Sequence, residues 1–188
     1  EIQRGLDLLE LALGAAGCGG EEAPNGGPSP APSPLSGLTL KADPGDALSV
    51  EEAKELDAGA EVVVIGRIGN IVKGFAAFNL VDESLDPCGF GADKMDDCPT
   101  PWDYCCISGP VKAAGTMTVE ARADGAVVKA TPKDLRLLDT VVVMGSIEKD
   151  EHVITGLALR AENNVTVLAD GWFRRERPAL PDGLNWPE

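Results

Sequence analysis

A chain of 188 residues that is 44% hydrophobic is long enough to form one domain with a buried core, together with appended segments. Its 31 acidic and 16 basic residues give a formal net charge of −15, which repels polyanions such as nucleic acids at long range. A single histidine, His152, excludes histidine-rich metal sites, and any Ser-His or Cys-His catalysis would depend on that one side chain.

The first 18 residues resemble a bacterial export signal. Residues 8–17 form an apolar run that is too short to span a membrane but has the length of a secretory signal core. The run ends in AAGC, which resembles a lipobox, the motif whose cysteine is lipidated. Glu10 interrupts the run, and an ordinary N-terminal amphipathic helix is the alternative. We therefore predict a signal or lipobox-like segment over 1–18 and lipidation of Cys18.

Residues 19–48 predict a linker. Up to Gly37 this stretch is rich in Gly, Pro and Ser and has almost no apolar side chains, so it cannot bury enough surface to offset the entropy of ordering. Its PSPAPSP core favours a stiff, extended chain. A lipidated Cys18 followed by a disordered tether predicts a domain held away from a bilayer, in the cell envelope on the periplasmic or extracellular face. A cytoplasmic location is the alternative.

Two short helices are predicted. Ser49 and Glu52 have the spacing of a capping box, which predicts a helix that ends near Gly59. Thr131 followed by Pro132 has the pattern of an N-cap with proline at the first helical position, which predicts a second helical turn.

Strand-prone segments dominate the rest of the chain. They are rich in Val, and the first contains Gly66 and Gly69, glycines of the kind that let a barrel strand bend. Strands are predicted over 61–71, 75–81, 115–123, 139–147 and 165–173, with an extra strand-like run over 153–159. The pattern is typical of a mostly β fold, a small OB-like barrel of five or six strands over 49–177, followed by an irregular tail over 178–188. A β-sandwich is the alternative.

Four strings in the middle of the chain carry a resemblance. SVEEAKEL, VVVIGRIG, CPTPWDYCC and NVTVLADGWFRR, in this order, resemble a group of uncharacterised OB-like proteins from planctomycete bacteria. Members of that group often look like exported lipoproteins. The resemblance therefore implies an OB-like fold and an envelope location, and it implies no reaction.

Four of the five cysteines lie close together in a predicted loop over 86–110: Cys88, Cys98, Cys105 and Cys106. Their spacings are irregular, whereas structural zinc sites usually use short CxxC pairs. Adjacent cysteines diverge in an extended chain, so a metal site would need a bend between Cys105 and Cys106. Export favours disulfides, with Cys105 and Cys106 each pairing with one of the other two. A four-cysteine zinc site and free or redox-active thiols are the alternatives.

Other side chains near the loop also have two interpretations. Trp102 and Tyr104 favour packing against the cysteines, and a platform for a ligand is the alternative. The acidic residues of the region predict a solvated surface, with a Ca²⁺ site as the alternative: Asp82, Glu83, Asp86, Asp93, Asp96, Asp97 and Asp103. Arg174 and Arg175, at the end of a predicted strand, favour an ordinary strand edge over a contact with nucleic acid or phospholipid.

No recognisable catalytic constellation or cofactor motif is present, which predicts that the chain is not an enzyme. We predict a non-catalytic OB-like binding or interaction domain, carried by a cell-envelope lipoprotein whose cysteine loop is stapled by disulfides. Its partner would be another protein or an envelope component, and it would meet the membrane through the lipid on Cys18. The alternatives are a single-stranded nucleic-acid-binding OB module, which the charge disfavours, and a metal-binding or thiol-redox protein that uses the four loop cysteines.

Overall fold

A computed structural model describes residues 33–90, 98–150 and 164–180. Several sequence predictions fall outside these residues and stay predictions. They are the signal segment with Cys18, the linker up to residue 32, the acidic residues Asp93, Asp96 and Asp97, His152, the strand-like run over 153–159, and the tail from residue 181.

The described elements are two short helices and seven strands. In chain order they are α1 (Val50–Glu55), β1 (Glu61–Ile71), β2 (Ala77–Val81), α2 (Gly109–Ala114), β3 (Thr116–Glu120), β4 (Arg122–Ala123), β5 (Ala126–Val127), β6 (Thr140–Asp150) and β7 (Asn164–Glu176). Five of the strands close into a barrel in the order β1-β2-β3-β7-β6. Only β3 and β7 run parallel within this barrel, and β4 pairs with β5 in a separate hairpin. The prediction of a mostly β, OB-like barrel of five or six strands with one or two short helices is confirmed.

Glycines allow the barrel strands to bend and to approach closely. The pairing of β1 with β2 shifts register between Ile68 and Asn70, at Gly69, and the pairing of β6 with β7 shifts between Met144 and Gly145. A Cβ at Gly145 would overlap the carbonyl oxygen of Leu168 in β7. Bulges of this kind increase strand twist, and here they bend the sheet until its two edges meet.

The Val-rich runs fill the inside of the barrel. Val64, Val141 and Val143 are fully buried, because alternate residues of β1 and β6 point inward. The Trp172 ring meets Phe78 edge-to-face, with ring centroids 5.8 Å apart and planes at 85°. The indole N–H of Trp172 also donates to the Asp134 carboxylate at 3.3 Å, so the polar atom of the largest core side chain is satisfied.

Helix α1 closes one end of the barrel. Its predicted capping box is present, with Ser49 and Glu52 bonded to each other's backbone N–H, and Val50 and Ala53 are fully buried. Asp82, which is itself buried, accepts a bond from the Glu51 backbone N–H at 3.3 Å. Burial would raise the pKa of Asp82, but bonds from backbone N–H groups outweigh burial and lower it. Asp82 therefore serves the helix end as a fixed anion.

The later part of the predicted linker packs on the barrel. Leu38 and Leu40 exchange backbone hydrogen bonds with Trp172, at 2.7 and 2.8 Å, and the Leu48 N–H donates to Val63 at 2.9 Å. Leu35 and Leu38 also pack against the core. These leucines bring residues 35–48 into contact with β1 and β7. The Gly-, Pro- and Ser-rich composition of residues 19–37 does not predict such a contact.

The prediction of a helical turn from Thr131 is wrong. Residues 129–139 form bends and a turn instead, and the Thr131 hydroxyl accepts a bond from the Gly74 N–H at 2.7 Å rather than capping a helix. The second helix is α2, in the cysteine loop, with Pro110 in its first turn. None of the helices in the described part of the chain combines the length and the apolar character that crossing a bilayer requires.

A buried carboxylate ties the end of β7 to the barrel. Asp139 is fully buried, and its two oxygens accept bonds from the Arg177 guanidinium at 2.7 and 2.6 Å. Removing one partner of such a pair leaves a buried charge uncompensated. We expect Arg177→Met to lower the free energy of unfolding by about 2–3 kcal/mol in urea titrations, because Arg177 is partly exposed.

Arg174→Met provides the matched control for this prediction. Arg174 is exposed, and its described hydrogen bond goes to the backbone carbonyl of Asp134 at 2.7 Å. We expect a change within about 0.5 kcal/mol for this variant. Equal effects of the two substitutions would contradict the importance of the Asp139 pair.

Candidate metal centre

Four cysteine sulfurs of the described chain meet at one point. The Sγ atoms of Cys88, Cys98, Cys105 and Cys106 all lie within 4.8 Å of one another, and we call this group the cysteine centre. The Sγ of Cys88 lies 3.0 Å from that of Cys106 and 3.3 Å from that of Cys105. The Sγ of Cys105 lies 3.7 Å from that of Cys98 and 3.9 Å from that of Cys106. The predicted clustering of these four residues is confirmed.

A tight turn brings the adjacent cysteines to the same side. Cys105 and Cys106 occupy the two central positions of a turn that the Ile107 N–H closes by donating to the Tyr104 carbonyl at 3.2 Å. Central residues of a β-turn reverse the chain, so their side chains do not diverge as they do in a strand. This turn supplies the bend that a metal site on adjacent cysteines requires.

Backbone pairing places Cys88 against this turn. The Cys88 N–H donates to the Asp103 carbonyl, and the Gly89 N–H donates to the Pro101 carbonyl, both at 2.8 Å. Residues 86–90, directly after β2, are thereby held beside the segment that precedes the turn.

Gly89 is required for this close approach. A Cβ at Gly89 would overlap the Cβ of Pro101 and lie 3.1 Å from its Cα. We expect Gly89→Ala to lower the affinity of the centre for Zn²⁺ by about 10-fold or more, since it displaces the ligands without removing one. Competition titration against a chromogenic zinc chelator measures this change.

Gly109→Ala, in the same loop, is the control for Gly89→Ala. A Cβ at Gly109 meets nothing within 4 Å, so this variant should bind zinc like the unmodified chain. Unchanged zinc affinity in both variants would show that the approach of Gly89 to Pro101 does not shape the centre.

The sulfur distances do not fit the predicted disulfides. A disulfide holds its sulfurs about 2.0 Å apart, and the described cysteines are all free, with the closest pair at 3.0 Å. In a tetrahedral site with Zn–S bonds of about 2.3 Å, the sulfurs lie about 3.8 Å apart. The observed 3.7 and 3.9 Å match that spacing, whereas the 3.0 and 3.3 Å distances are shorter than it. Four converging sulfurs fit the zinc alternative better than two disulfides.

The pKa values in the cluster show how it holds protons when no metal is bound. Burial would raise the pKa of Cys88, but hydrogen bonds with Cys106 and Cys105 outweigh burial and lower it to about 7. The bond with Cys88 raises the pKa of Cys105 to about 12 and also raises that of Cys106. The buried sulfur therefore ionises first, which places a negative charge where a cation would be coordinated.

A second small core fixes the cysteine loop to the barrel. We call it the satellite core: Val81, Leu85, Tyr104 and Leu138 are buried, with Phe90, Trp102 and Ile107 packed against them. Tyr104 is 3% exposed, so its ring is a core element and not an open platform, and Trp102 is half-buried in the same cluster. Packing explains both aromatic residues.

Tyr104 is the only tyrosine in the chain and reports on this satellite core. Burial raises the pKa of Tyr104 to about 12, against the opposing effect of the Arg67 guanidinium. Because the pKa is higher in the folded state, the buried, protonated Tyr104 contributes fully to the free energy of unfolding below pH about 10. This contribution is lost as the pH rises towards 12. We expect tyrosinate absorbance to appear near pH 12 in the folded chain and near pH 10 in urea. A midpoint near 10 in the folded chain would contradict the burial of Tyr104.

Several charged side chains in the described part of the loop contact the protein itself. Asp103 accepts a bond from the Tyr104 N–H at 2.7 Å, and Asp86 lies 3.8 Å from Arg67. In the described ranges, the cysteine centre is the one group of three or more residues placed to hold a metal ion. Arg175 binds Asp43 through two hydrogen bonds at 2.6 and 2.9 Å, so its charge is neutralised within the fold.

Comparison with known proteins identifies no family for this chain. No protein-family model matches the chain, and a search of curated proteins found no similar sequence. The resemblance to OB-like envelope lipoproteins therefore stays a prediction.

The sequence did not indicate the close approach at Gly89 or the turn at Cys105. The string CGFG does place a glycine directly after a cysteine, as metal-binding loops often need for close backbone approach. The pairing partner of that glycine, Pro101, lies twelve positions away, and no local pattern identifies it.

Proposed function

We propose that this chain is a non-catalytic OB-like binding module whose loop over 86–110 is shaped by a zinc ion on Cys88, Cys98, Cys105 and Cys106. The observation that carries the proposal is the convergence of four sulfurs within 4.8 Å. Thiolates are soft ligands that suit Zn²⁺, and four of them complete its tetrahedral coordination. With no position left for water, such a centre is structural rather than catalytic.

The position of the centre indicates what it would stabilise. It joins the segment after β2 to the segment before α2, and the satellite core packs this junction against β2 and Leu138. In its described parts this connection has few backbone hydrogen bonds before α2, so a cross-link would contribute much of its order. The module would present the loop as a fixed surface to a protein or an envelope component.

Charge disfavours nucleic acid as the partner. The net charge is −15, and the arginines near the end of β7 are occupied: Arg175 by Asp43 and Arg177 by Asp139. A single-stranded nucleic acid needs free cations along its path. A positively charged partner fits the net negative charge of this chain better than a nucleic acid does.

Native mass spectrometry of the chain purified with a thiol reductant and without chelator tests the proposal. We expect the added mass of one zinc ion per chain, lost on treatment with a strong chelator. Substitution by Co²⁺ should give the visible absorption bands of a tetrahedral thiolate complex. A metal-free chain that lacks four hydrogens would overturn the proposal and support the two predicted disulfides.

An envelope location remains part of the proposal and depends on Cys18. Zinc thiolates persist in reducing and in protected environments, so the cysteine centre does not itself indicate a compartment. Palmitate labelling in a bacterial host should mark the chain and should not mark its Cys18→Ser variant. Retention of the unlabelled chain in the cytoplasm would contradict this part.

A further inference from the structure

The cysteine centre is open to solvent on one side. Cys105 and Cys106 are exposed and Cys98 is half-exposed, whereas Cys88 is buried with 7% of its surface accessible. A small oxidant dissolved in water can therefore reach three of the four sulfurs. Oxidation-sensitive thiols are accessible and lie beside a second thiol that can resolve the first oxidation product.

The sulfur distances favour one pairing of the four cysteines. Cys88 is closest to Cys106, at 3.0 Å, and the remaining two, Cys98 and Cys105, are 3.7 Å apart. Joining Cys88 to Cys105 would leave Cys98 and Cys106, whose sulfurs are not in hydrogen-bonding contact and lie up to 4.8 Å apart. Joining the neighbours Cys105 and Cys106 would strain the chain.

We propose that the cysteine centre is a peroxide-sensitive switch that alternates between a zinc-bound state and a state with disulfides Cys88–Cys106 and Cys98–Cys105. The inference rests on the zinc site proposed above. In the complete reaction, the zinc–tetrathiolate complex, two hydrogen peroxide molecules and four protons give free Zn²⁺, two disulfides and four water molecules. The four thiolates lose four electrons, and the two peroxides accept them.

Exposure and the short contact with Cys88 together assign the order of events. The exposed Cys106 sulfur attacks a peroxide oxygen, the O–O bond breaks, and hydroxide leaves, which forms a sulfenic acid on Cys106. Cys88, 3.0 Å away, attacks the Cys106 sulfur and displaces a second hydroxide, which closes the first disulfide. Zinc then keeps only two ligands and leaves, and the same two steps join Cys105 to Cys98.

The zinc-bound state and the disulfide state cross-link the same segments of the loop. The zinc ion and the two disulfides each connect Cys88 to the turn at Cys105 and Cys106, and each connects that turn to Cys98. The barrel and the satellite core can therefore persist through the reaction. What changes is the metal content and the charge at the exposed face of the loop, which alters the surface offered to a partner.

Zinc release from the loaded, full-length chain tests the inference. Zinc content is measured first, then about two equivalents of hydrogen peroxide are added per chain while a chromogenic chelator reports free zinc. Catalase stops the reaction, and peptide mapping without reduction identifies the disulfides. We expect complete release of zinc, the pairs Cys88–Cys106 and Cys98–Cys105, and recovery of zinc binding after a thiol reductant is added.

The outcomes separate the switch from the zinc site. A reduced chain that neither carries nor binds zinc overturns the proposed function, and the switch with it. A chain that binds zinc but keeps it in peroxide overturns the switch alone. Other pairings, or oxidation to sulfinic acid that reductant does not reverse, also overturn it. Cys105→Ser should still form the Cys88–Cys106 disulfide, and failure to do so in a folded variant contradicts the assigned order.

Discussion

Replacing Cys88 with serine should weaken zinc binding by more than about 100-fold while leaving the barrel folded. A structural zinc site contributes roughly 10–16 kcal/mol, so one of four equal ligands accounts for about 3 kcal/mol, or about 100-fold in affinity. The loss of binding free energy should be larger than this equal share for Cys88, because Cys88 is the buried ligand and contacts both Cys105 and Cys106. Isothermal titration and zinc analysis after gel filtration measure the loss.

The barrel should survive because its core is separate from the loop. Trp172 belongs to the main core, whereas Cys88 belongs to neither core and lies in the cysteine loop. In a background with Trp102→Phe and Trp186→Phe, Trp172 alone reports on the barrel, and its unfolding midpoint in urea should change little with Cys88→Ser. Cys18→Ser should keep full zinc binding. An unchanged zinc affinity in Cys88→Ser, or loss of zinc in Cys18→Ser, would place the site elsewhere.

The barrel was predictable because its signals are local. Val-rich runs that end in glycine mark β1 and β6, and inward alternation marks Met117 and Val119 in β3, which are both buried. The capping box at Ser49 marks the start of α1. Each of these patterns consists of residues that lie within a few positions of one another, so it can be identified from a single sequence.

The site was only half predictable because its chemistry depends on distant pairing. The grouping of four cysteines is visible in the sequence, but the choice between disulfides and metal depends on the turn at Cys105 and on the approach of Gly89 to Pro101. The helical turn expected at Thr131 failed for a related reason, since the hydroxyl is taken by Gly74, which is 57 positions away. Such contacts follow from the closed barrel and not from the local sequence.

Gly145→Ala should destabilise the barrel more than Gly89→Ala or Gly109→Ala does. The new Cβ would lie 2.8 Å from the carbonyl carbon of Leu168 and 3.0 Å from the Cα of Ala169, and it would overlap the Leu168 oxygen. All three atoms belong to the β7 backbone, so relief requires β6 and β7 to separate. We expect a loss of about 3 kcal/mol or more, a large part of the roughly 5–15 kcal/mol that stabilises a domain.

Urea unfolding, followed through Trp172, measures this loss against Gly109→Ala. A Cβ at Gly109 meets nothing within 4 Å, and alanine suits the start of α2 at least as well as glycine, so the control should lie within about 0.5 kcal/mol of the unmodified chain. Equal stability of the two variants would mean that β6 and β7 do not approach closely at this bulge. Since this contact bends the sheet, that result would also remove the physical reason for closure of the barrel between these strands.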